Sequence, residues 1–195
     1  MKSEYTKILG ISVLVVFMFG FLNSVSPAYA INAPTTGSQF GGGSVKYSDG
    51  LRINGKPIDI SKHVQTIQAQ TIYVNNPSDI TLKIYNNPNS KGLLHLIVYL
   101  NLSGPNPHPI KSDTWIDYSK SNGVSLRDPH RIFKSVTAKT SYDSQFTFLT
   151  LHIVPQKSLS TSHLIIRAWD SKLSMNEVYI LNAVKISYLT NSAHP

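Results

Sequence analysis

Asp79–Leu102 reads DITLKIYNNPNSKGLLHLIVYLNL, and its alternation decides the fold class. Ile80, Leu82 and Ile84 share one side of the first half, with Asp79, Thr81, Lys83 and Tyr85 on the other. In the second half Leu96, Val98, Leu100 and Leu102 share one side, with His95, Ile97, Tyr99 and Asn101 opposite. Successive side chains of a strand point to opposite faces, so both halves read as half-buried strands. Asn86–Gly92 (NNPNSKG) between them is dense in turn formers. This pair is expected to form the centre of a β-sandwich.

Working outward, Val45–Ile60 carries two turn dipeptides, Asp49-Gly50 and Asn54-Gly55. The second, between Leu51-Arg52-Ile53 and Lys56-Pro57-Ile58, predicts a two-residue hairpin. Pro57 has no N–H for a ladder, which places its strand short or at an edge. Further strands are predicted at Gln70–Val74, Asp113–Tyr118, Val124–Arg127, Gln145–Val154, His163–Trp169 and Val178–Tyr188. Ile132–Thr140 is ambiguous, and Ser171–Asn176 could hold one helical turn. Ser103–Ser112 (SGPNPHPIKS) must be loop. Eight to ten short strands with frequent turns and no amphipathic helix predict an all-β chain. The expected architecture is a single antiparallel β-sandwich, an immunoglobulin-like Greek key, with a cupredoxin-like barrel as the alternative.

The chain has 195 residues, and its start does not belong to that sandwich. Lys2 and Lys7 precede the uncharged run Ile8–Leu22, and Ala28-Tyr29-Ala30 follows. That order is the anatomy of a secretory signal peptide, and the run is short for a membrane span. The expected organisation is a signal peptide over 1–30, a flexible Gly-rich linker over 31–44, a sandwich over 45–190 and a tail over 191–195. A retained N-terminal anchor is the alternative. Both put the domain outside the cytoplasmic membrane. With Lys2, Lys7 and Glu4 removed, 16 basic and nine acidic residues remain, a formal charge of +7. Such a balance favours an anionic surface, an acidic glycan or an acidic protein, and no nucleic-acid motif is present. There is no cysteine, which excludes disulfides, thiolate metal sites and cysteine nucleophiles.

Four phrases resemble uncharacterised secreted proteins of ammonia-oxidising archaea: GGGSVKYSDGLRINGKPIDIS (41–61), SDTWIDY (112–118), DPHRIFK (128–134) and LIIRAWDSKLS (164–174). The resemblance covers most of the chain after residue 30. It implies an extracytoplasmic, β-rich domain, and it implies no activity.

Candidate chemistry falls on the histidines, the outward aromatics, one sequon and the Arg167–Trp169 stretch. Neutral imidazole binds copper well. His95, His130 and His152, with His108, are the candidate copper ligands, and Asp113, Asp128 and Met175 are further donors. A His₂Cys blue-copper site is excluded. Tyr85, Tyr99, Phe146 and Phe148 lie opposite the aliphatic faces, as a partner platform or a second core layer. Asn101-Leu102-Ser103 is a glycosylation sequon on the outward side of its strand. Arg167 and Trp169 share a strand face and are candidates for a cation–π pair, with Asp170 capping the next turn. No nucleophile elbow, EF-hand or phosphate loop is present, so a hydrolase is the weakest reading. The expectation is a non-enzymatic, exported envelope component that works by binding. A copper carrier is the alternative.

Overall fold

The computed structural model describes residues 39–40, 49–60, 62–85, 92–143 and 146–189. The expected signal peptide and tail lie outside the described residues, as do Ser61 and most of the linker. Thirteen strands occur among the described residues: β1 (Gln39–Phe40), β2 (Leu51–Ile53), β3 (Lys56–Ile58), β4 (Val64–Thr66), β5 (Gln70–Tyr73), β6 (Ser78–Tyr85), β7 (Leu93–Leu102), β8 (Thr114–Ser119), β9 (Gly123–Arg127), β10 (Phe133–Tyr142), β11 (Phe146–Pro155), β12 (Leu159–Asp170) and β13 (Met175–Ser187). The described helical structure is a single 3₁₀ turn at Pro109–Lys111.

The strands form two sheets. One runs β10-β11-β6-β2-β3, with β1 also on β6; the other runs β4-β13-β12-β7-β8-β9, with β5 also on β13. In immunoglobulin letters the six-stranded sheet is D-E-B-A, and the seven-stranded sheet is G-F-C-C′-C″ with β4 and β5 alongside G. That is the variable-type order. Pairing is antiparallel except where β4 and β5 run parallel to β13. The Greek-key sandwich expected from the alternation is therefore the fold.

Alternation built the core as read. Ile80, Leu82, Ile84, Leu96, Val98 and Leu100 are at most 1 % exposed. Leu149, Leu151 and Ile153 of β11, and Leu164, Ile166 and Ala168 of β12, face the same interior. Aliphatic packing thus fills the space between B, C and F where antibody domains place a disulfide and a tryptophan. The predicted Asn54-Gly55 hairpin is present, with φ of +50° and +78°, and β3 with Pro57 is an edge strand.

Four details differ from the expectation. β6 and β7, the two strands of the opening stretch, belong to different sheets. Phe40 lies within the expected linker, yet it pairs with Ile84 and is 2 % exposed. A single aromatic in a Gly-rich segment has no periodicity to announce it, but the core has room for its ring. Ser171–Ser174 is a tight turn between β12 and β13, with no helix. The ambiguous stretch 132–140 falls in strand β10 from Phe133 onward.

His163 is a buried polar residue whose position the alternation did not explain. Register breaks in β12 fall on either side of it. Its Nδ1 accepts from the Asn182 N–H (2.9 Å), so Nε2 carries the proton and donates to the Gly104 carbonyl (2.9 Å). The imidazole therefore ties the proline-rich β7–β8 connection and the irregular point of β13 (Asn182, φ +57°) to the sheet.

Candidate functional site

The outer face of the seven-stranded sheet carries a dense set of aromatic and charged side chains. Cross-strand register sets it out in three rows. The first is Val64, Tyr179, Ile165, Tyr99, Trp115 and Arg127. The second is Glu177, Arg167, Ile97, Asp117 and Ser125, and the third Met175, Trp169, His95, Ser119 and Gly123. Directly opposed residues lie close enough for rings and long side chains to touch.

Ile165 sits between Tyr99 and Tyr179 and is fully buried although it faces outward. The Tyr99 and Trp115 rings are 6.3 Å apart, and the Arg127 guanidinium lies 4.7 Å from the Trp115 centroid. In the third row His95 stacks on Trp169 at 4.9 Å and 20°. His95 Nε2 also donates to Asp117 Oδ1 (2.6 Å), which joins the third row to the second. His95, Asp117, Ser119, Asn122 and Ser125 line a polar hollow of about 300 Å³ at the β8–β9 end of the face.

Arg167 anchors the middle of the face. Its guanidinium pairs with Glu177 and lies 5.7 Å from the Tyr99 ring. Burial alone would lower the Arg167 pKa, but the Glu177 carboxylate outweighs it and raises it. Tyr179 is pushed up to about 12, first by burial and then by its hydrogen bond to Glu177. His63 donates from Nδ1 to the Glu177 carbonyl (2.8 Å) and meets the Tyr179 ring edge-on at 5.2 Å. Glu177 therefore holds a network reaching across three strands and the β3–β4 connection. Arg167 and Trp169 share a face as expected, but each takes a cross-strand partner. The opposed residue of the neighbouring strand is nearer than the i+2 residue of the same strand.

The four candidate copper ligands do not come together. His95 is on the outer face of the seven-stranded sheet. His152 is on the outer face of the six-stranded sheet, where Nδ1 donates to Asp79 Oδ1 (2.6 Å). His130, after β9, donates from Nε2 to Asp113 Oδ2 (2.5 Å). His108 caps the 3₁₀ turn by accepting from Ile110 N–H. Stacked sheets lie about 10 Å apart, so His95 and His152 on opposite outer faces cannot share one ion. Among the described residues no three His, Cys, Asp or Glu side chains gather for a metal.

The expected aromatic platform also divides. Tyr99 belongs to the face just described. Tyr85, Phe146 and Phe148 form a second cluster on the six-stranded sheet. There Tyr85 and Phe146 meet edge-on at 5.8 Å, and Lys83 Nζ lies 4.4 Å from the Phe146 centroid. The sequence assigned the correct side of each strand, but it did not say that β6 and β7 lie in different sheets. Trp115 and Arg127 were missed as site residues. Their alternation within DTWIDY and the following strand was the available signal.

Asn101 of the sequon is half-buried at φ +55°, and its Nδ2 donates to Asp113 Oδ1 (3.2 Å). Burial alone would raise the Asp113 pKa; hydrogen bonds from His130, Asn101 and Thr114, and the His130 charge, together lower it. A carboxyl depressed in the folded state stabilises the fold above its unfolded pKa of 3.8, and that contribution fades as pH falls through the lower folded value. Replacing His130 by Gln is expected to move the Asp113 titration upward toward 3.8, read from the carboxyl ¹³C shift across an acid titration. An unmoved titration would show that His130 does not set it.

No family model matches the chain, and no curated protein matches it in sequence. Among solved structures, one from photo-crosslinking work on the multimeric cell-adhesive interactions of VGSC beta subunits is 12 % identical, with a TM-score of 0.37, over 65 % of this chain and 94 % of that one. A DUF4466 family protein from Parabacteroides merdae is 11 % identical, with a TM-score of 0.28, over 62 % of this chain and 41 % of that one. At these scores neither likeness bears on function. Among the described residues no helix is long and apolar enough to cross a membrane.

Proposed function

We propose that the protein is an exported, non-enzymatic binding module that docks a protein partner of the cell envelope through the outer face of its seven-stranded sheet. The observation that carries this reading is the three-row array of Tyr99, Trp115, Arg127, Arg167, Trp169 and His95. Trp, Tyr and Arg are the residues that concentrate binding energy at protein interfaces. Here Arg127 is exposed and the other five are half-exposed, and their neighbours hold them in place, which lowers the entropy lost on docking. Binding suits the face better than catalysis, because its charged groups are engaged with one another: Arg167 with Glu177, and His95 with Asp117. The leader-like start of the sequence supports export.

The test is recovery of the partner by cross-linking from the native envelope, compared across two variants of the full chain. Ser125→Arg puts bulk on this face, at an exposed position beside Asp117. Thr137→Arg does the same at an exposed position of the six-stranded sheet. Ser125→Arg is expected to reduce recovery at least ~10-fold, about 1.4 kcal/mol of binding, and Thr137→Arg to leave it unchanged. Equal behaviour of the two would remove the assignment to this face.

A further inference from the structure

One end of the sandwich gathers several strand ends and turns. β6 ends there at Tyr85, β7 begins at Leu93, β8 turns into β9 at Ser119–Gly123, and β12 turns into β13 at Asp170–Met175. Gln39 pairs with Tyr85 at the same end.

The β12–β13 turn presents Leu173 to solvent at 73 % exposure with φ +61°. Left-handed backbone is uncommon outside glycine and asparagine, and an exposed leucine gains nothing from water. The turn nevertheless holds this residue firmly. Asp170 is fully buried, and its Oδ1 accepts from the N–H groups of Lys172 (2.9 Å) and Ser174 (3.0 Å). Leu173 N–H donates to the Asp170 carbonyl (2.9 Å), and Asp170 N–H to the Ser174 carbonyl (3.2 Å). A strained residue held by its surroundings points to function.

Two more exposed apolar side chains flank the turn: Met175 at 43 %, and Leu94 at 37 %, whose carbonyl accepts from Lys120 N–H. Lys172 and Lys120 are both exposed. Of the carboxylates toward this end, Asp170 is buried, Asp117 is paired with His95 on the outer face, and Asp143 belongs to the β10–β11 turn of the other sheet. An exposed apolar tip between lysines matches the boundary between anionic headgroups and acyl chains, where aliphatic side chains enter and lysines remain at the headgroups.

We propose that this end of the domain seats on an anionic lipid surface, with Leu173 entering the headgroup–acyl boundary and Lys172 and Lys120 on the headgroups. The seating does not depend on whether the run at 8–22 is retained. It leaves the outer face of the seven-stranded sheet free to meet a partner from the side.

The rival lies within the same chain. Ile110 is 85 % exposed beside Lys111 at the opposite end, and both ends cannot face one bilayer. The absence of cysteine makes single-site labelling direct. Full chains carrying Leu173→Cys or Ile110→Cys, each with an environment-sensitive fluorophore, are mixed with vesicles of phosphatidylcholine alone or with phosphatidylglycerol, containing nitroxide-labelled lipid. The apolar run is common to both chains and cannot separate them. The expected result is a blue shift and strong lipid quenching for the label at 173 on anionic vesicles. Quenching should fall severalfold on neutral vesicles, in high salt and after Lys120→Glu with Lys172→Glu, while the label at 110 stays in water. A silent label at 173, as docking to a protein alone would give, overturns the proposal. So does quenching at 110 in its place, or insertion at 173 that ignores the charge reversal.

Discussion

Leu82→Ala is expected to lower the unfolding free energy by about 3–4 kcal/mol, among the largest effects of any single substitution in this chain. Leu82 is fully buried in the middle of β6, opposite Leu51 on one side and Leu149 on the other. Removing its branched end forfeits transfer energy and leaves a cavity between two sheets of aliphatic side chains, which relax only partly. Domains of this topology often carry an inter-sheet disulfide that restrains the unfolded chain; here packing alone joins the sheets. Denaturant unfolding of the variant should show a lower midpoint with an unchanged slope. A loss under about 1 kcal/mol would mean that the centre of the sandwich is loosely packed.

Arg167→Met is the second large effect, with an expected cost of about 2–4 kcal/mol. Its partner Glu177 has a side chain only 11 % exposed, so truncating the arginine leaves a largely buried carboxylate without its cation. The paired variant, Arg167→Met with Glu177→Met, is expected to recover most of the loss, because two apolar side chains can replace a buried ion pair at little net cost. Unfolding of both singles and the double forms the cycle. If the double variant is no more stable than the worse single, the pair is not the source of the effect. Tyr179 supplies an independent readout. Its pKa of about 12 lies above the ordinary tyrosine value of 10, so its contribution is complete below pH 10 and is lost between 10 and about 12. Removing Glu177 narrows that window by bringing the phenol down.

Glu177 also shows where local reading stops. Ile80, Leu82 and Ile84 were legible as core from seven residues of sequence, because a strand with one apolar face has one stable way to lie on an interior. The Asn54-Gly55 hairpin was legible for a comparable reason: few residues tolerate two successive positive φ angles, and the dipeptide is local. Asp170 as a cap was legible from its place directly after the predicted strand His163–Trp169. None of these needs a distant segment.

The candidate sites had the opposite character. His95 found Asp117 and Trp169, His152 found Asp79, and His130 found Asp113; Asp79 is 73 residues from its histidine. Phe40 entered the core from a segment with no pattern. His163 became a structural tie because Asn182 and Gly104 arrived beside it, not because of its neighbours in the chain.

The sequence alone determined which side of the long central strands is apolar, where the Asn54-Gly55 hairpin lies, and that no disulfide or thiolate site exists. Alternation, turn chemistry and composition act within a few residues. Tertiary structure alone decided that β6 and β7 lie in opposite sheets. It thereby decided that Tyr99 joins Trp115 and Arg167 while Tyr85 joins Phe146, and that the histidines pair with carboxylates on separate surfaces. Strand order and register depend on how the thirteen described strands share one interior, and no window of the chain contains that information.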